Sequence, residues 1–197
     1  MSIDDAMERL SGTEQDHNRW VGVYIGMLAV LLAICGMGGG NAQKDGVRYH
    51  IEASNTWAFF QAKNLRRNAI YLATDNLELT LRTQPDLSAE ARKAIEDKIA
   101  DYRSQAAKLT KDPERHEGLD ELFVKGKALE AERDVAMRKD PYFDWSQALL
   151  QIAIVLASIH LIIGNPSLLA LSGGLGALGT LLMVNGFTLF AQVPFLG

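Results

Sequence analysis

Charge is distributed along this chain in a way that no water-soluble fold of its length would produce. Every Lys, Arg, Asp and Glu falls within residues 1–19 or 44–144, and none lies between Trp20 and Gln43 or between Trp145 and Gly197. The average conceals this. Charged residues make up 22% and the net charge is −4, values ordinary for a soluble domain, which would interleave charge with apolar residues throughout. Two apolar blocks around one charged middle predict a chain whose ends sit in lipid and whose centre does not.

The lengths agree with that division. Trp20–Gly38 is 19 residues without a charge, and at about 1.5 Å per residue it reaches across a hydrocarbon core of about 30 Å. Trp20 and Tyr24 stand at its start, as interfacial aromatics do. Gly22, Gly26, Ala29, Ala33, Gly36 and Gly40 form a stripe of small residues along it, the pattern that lets helix backbones approach each other in lipid. A second charge-free run, Trp145–Ile163, follows Asp140-Pro141, which reads as a helix start with Asp as cap and Pro in the first turn. Gly164-Asn165-Pro166 is a tight turn, and a third run continues from Ser167 to Gln192. So short a turn joins two antiparallel neighbours. Between the first run and the middle, GMGGGNAQKDG (Gly36–Gly46) predicts a break, a hinge at the membrane exit; it does not match the P-loop pattern, because Gln43 and Asp45 flank Lys44. The acidic start, with no clean cleavage site, predicts an uncleaved tail rather than a secretory signal.

The charged middle reads as helices. Ile51, Asn55, Ala58, Ala62, Leu65, Ala69, Leu72, Asn76 and Leu79 repeat at alternating gaps of four and three, the spacing of a helix wound against a partner. Alanine admits a close backbone, leucine fills the seam, and the two asparagines would pair across it, which sets register. The same spacing serves an intrachain hairpin and an intersubunit bundle. On other faces Lys63, Arg66 and Arg67 lie beside Trp57, Phe59 and Phe60. That mixture suits either anionic lipid headgroups or aromatics packed inside the hairpin with the bases in water. After the turn Thr83–Ser88, a second helix capped by Ser88 carries Ala91, Ile95, Ile99, Tyr102, Ala106 and Leu109 on one face. Lys111–Gly118 breaks it, and a third helix carries Leu119, Leu122, Gly126, Leu129, Arg133 and Ala136.

The expected fold is therefore an all-α membrane protein with three transmembrane helices, one N-terminal and two in a C-terminal hairpin, and an extramembrane helical-hairpin or coiled-coil domain between them. The segments are a polar tail (1–19), a first span (20–40), the charged helical domain (41–144), a second span (145–163) and a third (167–192). Uncharged polar residues inside spans each need a partner. Gln151 and Asn185 both fall about 10 Å below the same surface at about 1.5 Å per residue, which predicts an amide–amide bond across the hairpin. His160 and Ser172 are predicted to meet at its other end.

Several chemistries find no support. The acidic balance argues against nucleic acid, which needs a clustered basic excess. His17, His50, His116 and His160 lack metal-ligand spacing, and the single Cys35 reads as a small apolar residue. Glu114, His116 and Glu117 cluster in a break between charged helices and read as a solvated surface. No nucleophile elbow, paired catalytic carboxylates or phosphate cradle is present. The expectation is a protein that is not an enzyme and uses no cofactor.

The segments NTWAFFQAK and YFDWSQALLQIAIVLASIHLI, with the Gly-rich closing span ending VNG, resemble the DUF4337 family of uncharacterised bacterial membrane proteins. That family has an N-terminal span, a charged helical middle with a W-x-x-x-Q-A-K-like segment and two closing spans. The resemblance implies a bacterial inner (cytoplasmic) membrane location and singles out Trp57, Gln61, Ala62 and Lys63; it implies no activity. Near the membrane ends, Lys44, Arg48, Arg133, Arg138 and Lys139 outnumber Arg9 and Arg19 on the other side, which favours a cytoplasmic middle domain. Two functions fit. One is a scaffold that self-associates, or docks on a larger membrane complex, through its small-residue span and its Ala/Leu seam. The other is a homo-oligomeric channel or transport accessory subunit, for which Gln147, Gln151, Ser158, His160 and Asn185 are the polar residues available to line a pathway.

Overall fold

Long helices follow from the absence of strong breakers over most of the chain and from the 3-4 spacing of its apolar residues. The computed structural model describes the backbone of residues 3–193 and the side chains of residues 18–193. Almost all of the expected polar tail thus lies outside the residues whose side chains are described. Among the described residues the backbone forms four helices and no strand: α1 (Ile3–Thr83), α2 (Ala89–Thr110), α3 (Leu119–Ile163) and α4 (Pro166–Thr188). Three of them, α1, α3 and α4, are long and apolar enough to cross a membrane.

The turn signals fall where the sequence puts them. Ser88 caps α2, its hydroxyl accepting from the Ala91 N–H at 3.1 Å. Gly164 adopts a left-handed φ of 73°, which glycine does without a Cβ penalty. Asn165 then caps α4 through its side chain, with Pro166 in the first turn.

Two expected breaks are not breaks. α1 runs unbroken through Gly36–Gly46, and α3 runs unbroken through Asp140-Pro141. The glycines admit aromatics instead. A Cβ at Gly38 would lie 2.5 Å from Phe143 Cε1 and 2.8 Å from Phe187 Cζ, and those two rings meet edge to face at 4.9 Å. A helical glycine costs about 1 kcal/mol relative to alanine, less than leaving buried backbone groups without partners. Pro141 removes one backbone donor, and the burial of Tyr142, Phe143 and Ser146 just beyond it holds the helix together past that loss. Asp140 is correspondingly no cap, because the helix continues on both sides of it; burial, then the neighbouring Asp144 charge, pushes its carboxyl above the ordinary range. At the other end α4 stops at Thr188 rather than near Gln192, because Leu189 turns left-handed (φ 50°).

The chain divides into two compact units, Met1–Gly46 with Asp134–Gly197, and Val47–Arg133. In the first, the core is Leu28, Cys35, Ala42, Phe143, Leu150, Ala153 and Met183. Small residues are buried beside these larger ones, Ala153, Ala157, Gly176, Gly179 and Gly186 among them, while Val23, Met27, Val30, Val155, Leu181 and Val184 point outward. The three apolar windows are only 22–28% buried. Large apolar residues turned outward along all three helices suit a lipid surround.

In the second unit, α2 folds back along α1 as the antiparallel hairpin expected. Arg103 pairs with Glu78 at 2.7 Å, and Arg67 Nη1 donates to Thr110 Oγ1 at 3.3 Å. The stripes expected of α2 and α3 are the packed ones: Ile99, Ala106, Leu119, Leu122 and Gly126 are buried here, Ala136 is buried in the first unit, and the other members are half-buried.

Candidate assembly interface

The most regular stripe in the chain is not the one α1 uses inside its own unit. Asn55, Ala58, Ala62, Leu65, Ala69, Leu72, Asn76 and Leu79 are all exposed. The large apolar members stand well clear, with Ile51 at 53%, Leu65 at 70%, Leu72 at 64% and Leu79 at 58%. α1 packs instead through Ala53, Thr56, Phe60, Lys63, Arg67, Ile70, Thr74, Leu77 and Leu81, every one buried or half-buried. This inner stripe has the same 3-4 spacing and, at 100° per residue, lies about 150° round the helix from the outer one. The spacing that left hairpin and intersubunit bundle equally open thus occurs twice, and the intrachain contact takes the more polar copy.

Two threonines make that possible. Thr56 Oγ1 donates to the Glu52 carbonyl at 2.8 Å and Thr74 Oγ1 to the Ile70 carbonyl at 2.9 Å. With the hydroxyl satisfied by its own helix, the rest of each side chain packs as an apolar group.

The family-like segment divides between the two faces. Trp57 turns inward, its rings edge to face with Phe60 and Phe123 at 5.6 Å each. Its indole Nε1 donates to Glu130 Oε1 at 2.9 Å. Lys127 completes the group, 2.8 Å from Glu130 Oε2 and 5.7 Å above the indole ring. The Lys127 hydrogen bond first, and the indole N–H after it, hold the Glu130 carboxyl below the ordinary glutamate range. Gly126 is the floor of this site, since a Cβ there would lie 2.8 Å from Trp57 Cε2. Lys63 also turns inward, donating to the Glu117 carbonyl and lying 3.7 Å from its carboxylate. Gln61 and Ala62 point outward, Ala62 within the exposed stripe. Of the two readings open for the basic and aromatic residues, Trp57 and Phe60 follow the packed one, as does the exposed Arg66, whereas Phe59 is exposed and Lys63 and Arg67 turn inward rather than into water.

In the first unit the small-residue stripe is also turned away from the chain's own helices. Gly22, Gly26, Ala29 and Ala33 are exposed and Gly36 half-buried, and a Cβ at Gly22, Gly26 or Gly40 would meet nothing within 4 Å. The two polar pairs expected across the hairpin do not form. Asn185 closes on Ala191 instead, donating to its carbonyl at 2.7 Å and accepting from its N–H at 2.9 Å, while Gln151 is exposed. The early end of α4 is the cause, because it leaves backbone groups that the Asn185 amide reaches more closely than another helix. Ser172 donates to the Ala153 carbonyl at 2.7 Å and lies 3.2 Å from the Tyr24 hydroxyl, and His160 Nδ1 lies 2.8 Å from the Asn165 carbonyl. Each side chain thus takes a backbone carbonyl, and Ser146, buried and bonded to the Gly179 carbonyl at 2.7 Å, does the same. Sequence reasoning missed Ser146, although a serine seven residues before Ala153 on the same helix face was a signal for it.

Among the described residues no group of three or more His, Cys, Asp or Glu side chains could hold a metal ion. The family model described as "Domain of unknown function (DUF4337)" matches residues 17–189. Comparison with curated proteins and with solved structures returns no match.

Proposed function

The chain belongs to the DUF4337 family, and from that premise we propose that it is a multi-pass membrane scaffold which self-associates or docks on a larger membrane complex. In this reading the apolar parts of α1, α3 and α4 span the bilayer, and the charged helical segment 41–144 stands outside it, on the cytoplasmic side of a bacterial inner membrane. The lipid bilayer and other protein are its partners, and it carries out no reaction.

One observation carries the proposal: the chain leaves a complete 3-4 stripe of Asn, Ala and Leu exposed on α1 while packing its own helices on the opposite side. The exposed glycines of the first unit support a second contact within the membrane, where close packing of small residues drives association. The channel reading has less support. A pathway leaves polar groups facing it, whereas of the five candidates Ser158, His160 and Asn185 bond backbone carbonyls, leaving Gln147 half-buried and Gln151 exposed.

The test is the mass of the particle solubilised in mild detergent from membranes washed with alkaline carbonate. A scaffold stays with the washed membrane and emerges larger than one chain. Release by carbonate, or a single-chain particle, overturns the reading. Selective ion flux through liposomes holding the purified protein would replace it with the channel.

A further inference from the structure

Resting on the scaffold reading, we infer that the occupant of the exposed α1 stripe is a second copy of this chain, paired in parallel and in register from Ile51 to Leu79. The stripe is a heptad seam with Asn55, Ala62, Ala69 and Asn76 at the a positions and Ile51, Ala58, Leu65, Leu72 and Leu79 at d.

Three features select this partner and this direction. Asparagine at a position a pairs with its equivalent when two helices run parallel and in register, and costs stability in any other arrangement. In an antiparallel seam a layers face d layers, so each asparagine would meet Leu, Ile or Ala and leave its amide unpaired. The two asparagines stand three whole heptads apart, so one in-register alignment satisfies both and a slip of one heptad satisfies neither. The flanking positions agree. Each g residue and the following e residue of the second copy include at most one charge, as in Gln61 against Arg66 and Asp75 against Thr80, so no like charges are brought together. Both flanks are open to a partner: Gln61, Arg66 and Asp75 are exposed. Finally, the apolar stretch of α1 precedes the seam in the same helix. Parallel pairing lets both copies enter one bilayer with one topology.

The alternation of Ala and Leu shapes the contact further. Ala62 and Ala69 at successive a positions bring the backbones close at the centre, with Leu65 filling the layer between them and Leu72 the layer after. The asparagine layers at Asn55 and Asn76 bracket that centre. Specificity and apolar contact are thus placed in different layers of one seam.

Single cysteines in an otherwise Cys35→Ser chain test this in native membranes. A disulfide needs Cα atoms no more than about 7 Å apart, a condition that equivalent residues at several positions spread along the stripe meet together only in a parallel, in-register seam. Ala58→Cys, Leu72→Cys and Leu79→Cys each shift to a band of about twice the chain mass on mild oxidation, because equivalent d positions face each other. Tyr71→Cys, exposed but off the seam, does not shift. All these sites are on the surface, so the fold tolerates the changes. If Ala58→Cys and Leu72→Cys stay monomeric alone but Ala58→Cys joins Ala69→Cys in a mixed sample, the seam is antiparallel and the inference is wrong. If no seam position reacts while the solubilised particle still exceeds one chain, the stripe serves another protein: the inference falls and the scaffold stands. A particle of one chain removes both.

Discussion

Trp57 shows how much a single side chain organises. It holds Phe60 on its own helix, Phe123 and Gly126 on α3, and through its N–H the Glu130–Lys127 pair. Gly126→Ala places a methyl group 2.8 Å from the indole, a distance that forces the ring to move. The expected cost is about 1–3 kcal/mol of unfolding free energy, the range for an overfilled core, read from urea denaturation followed by circular dichroism. Glu130 carries a pH signature. Its carboxyl is held below its ordinary value of 4.5, so its contribution is present above that pH and lost as pH falls through the lower folded value. Glu130→Gln should therefore be less stable than the natural chain at pH 7, with the difference shrinking as the pH is taken below 4.5. A deficit independent of pH would mean that the indole bond does not need the charge.

At the scale of elements, the two helices that outrun their expected ends teach the same lesson. Glycine and proline are punctuation only if the chain on both sides is free to turn, and at Gly38 and Pro141 it is not. Paired substitutions separate space from flexibility. Gly38→Ala meets Phe143 at 2.5 Å and should destabilise the first unit, whereas Gly40→Ala meets nothing within 4 Å and should be neutral or stabilising by up to about 1 kcal/mol. Thermal unfolding in detergent distinguishes them, and a hinge at this place would make both substitutions harmful. This also explains what was legible. The all-helical class, the turns at Ser88 and Gly164-Asn165-Pro166, and the inner faces of α2 and α3 follow from local rules of capping and apolar spacing. The face by which α1 joins its own unit did not, because it is written in Thr56, Lys63, Arg67 and Thr74 and reads as polar. The α3–α4 hairpin misled differently: amide and hydroxyl groups are matched by depth to one another in the sequence, when the nearest unused backbone carbonyl is the stronger competitor.

For the whole molecule, exposure has two meanings that a list of accessible residues does not separate. Leu181 in the first unit and Leu65 in the second are similarly uncovered, at 67% and 70%. If α4 spans the bilayer, Leu181 faces lipid, and Leu181→Lys opposes insertion by roughly 2.5–3.5 kcal/mol near the centre of a span. If Leu65 faces a second copy in water, Leu65→Lys leaves insertion intact and puts two like charges into one d layer, which opposes pairing. The two substitutions should therefore fail in different assays. Leu181→Lys should reduce the carbonate-resistant fraction, while Leu65→Lys should remain in the membrane and emerge from detergent as a smaller particle than the natural chain. The reverse result, with Leu65→Lys lost from the membrane, would place the α1 stripe in lipid and give its exposed leucines the same explanation as those of α4.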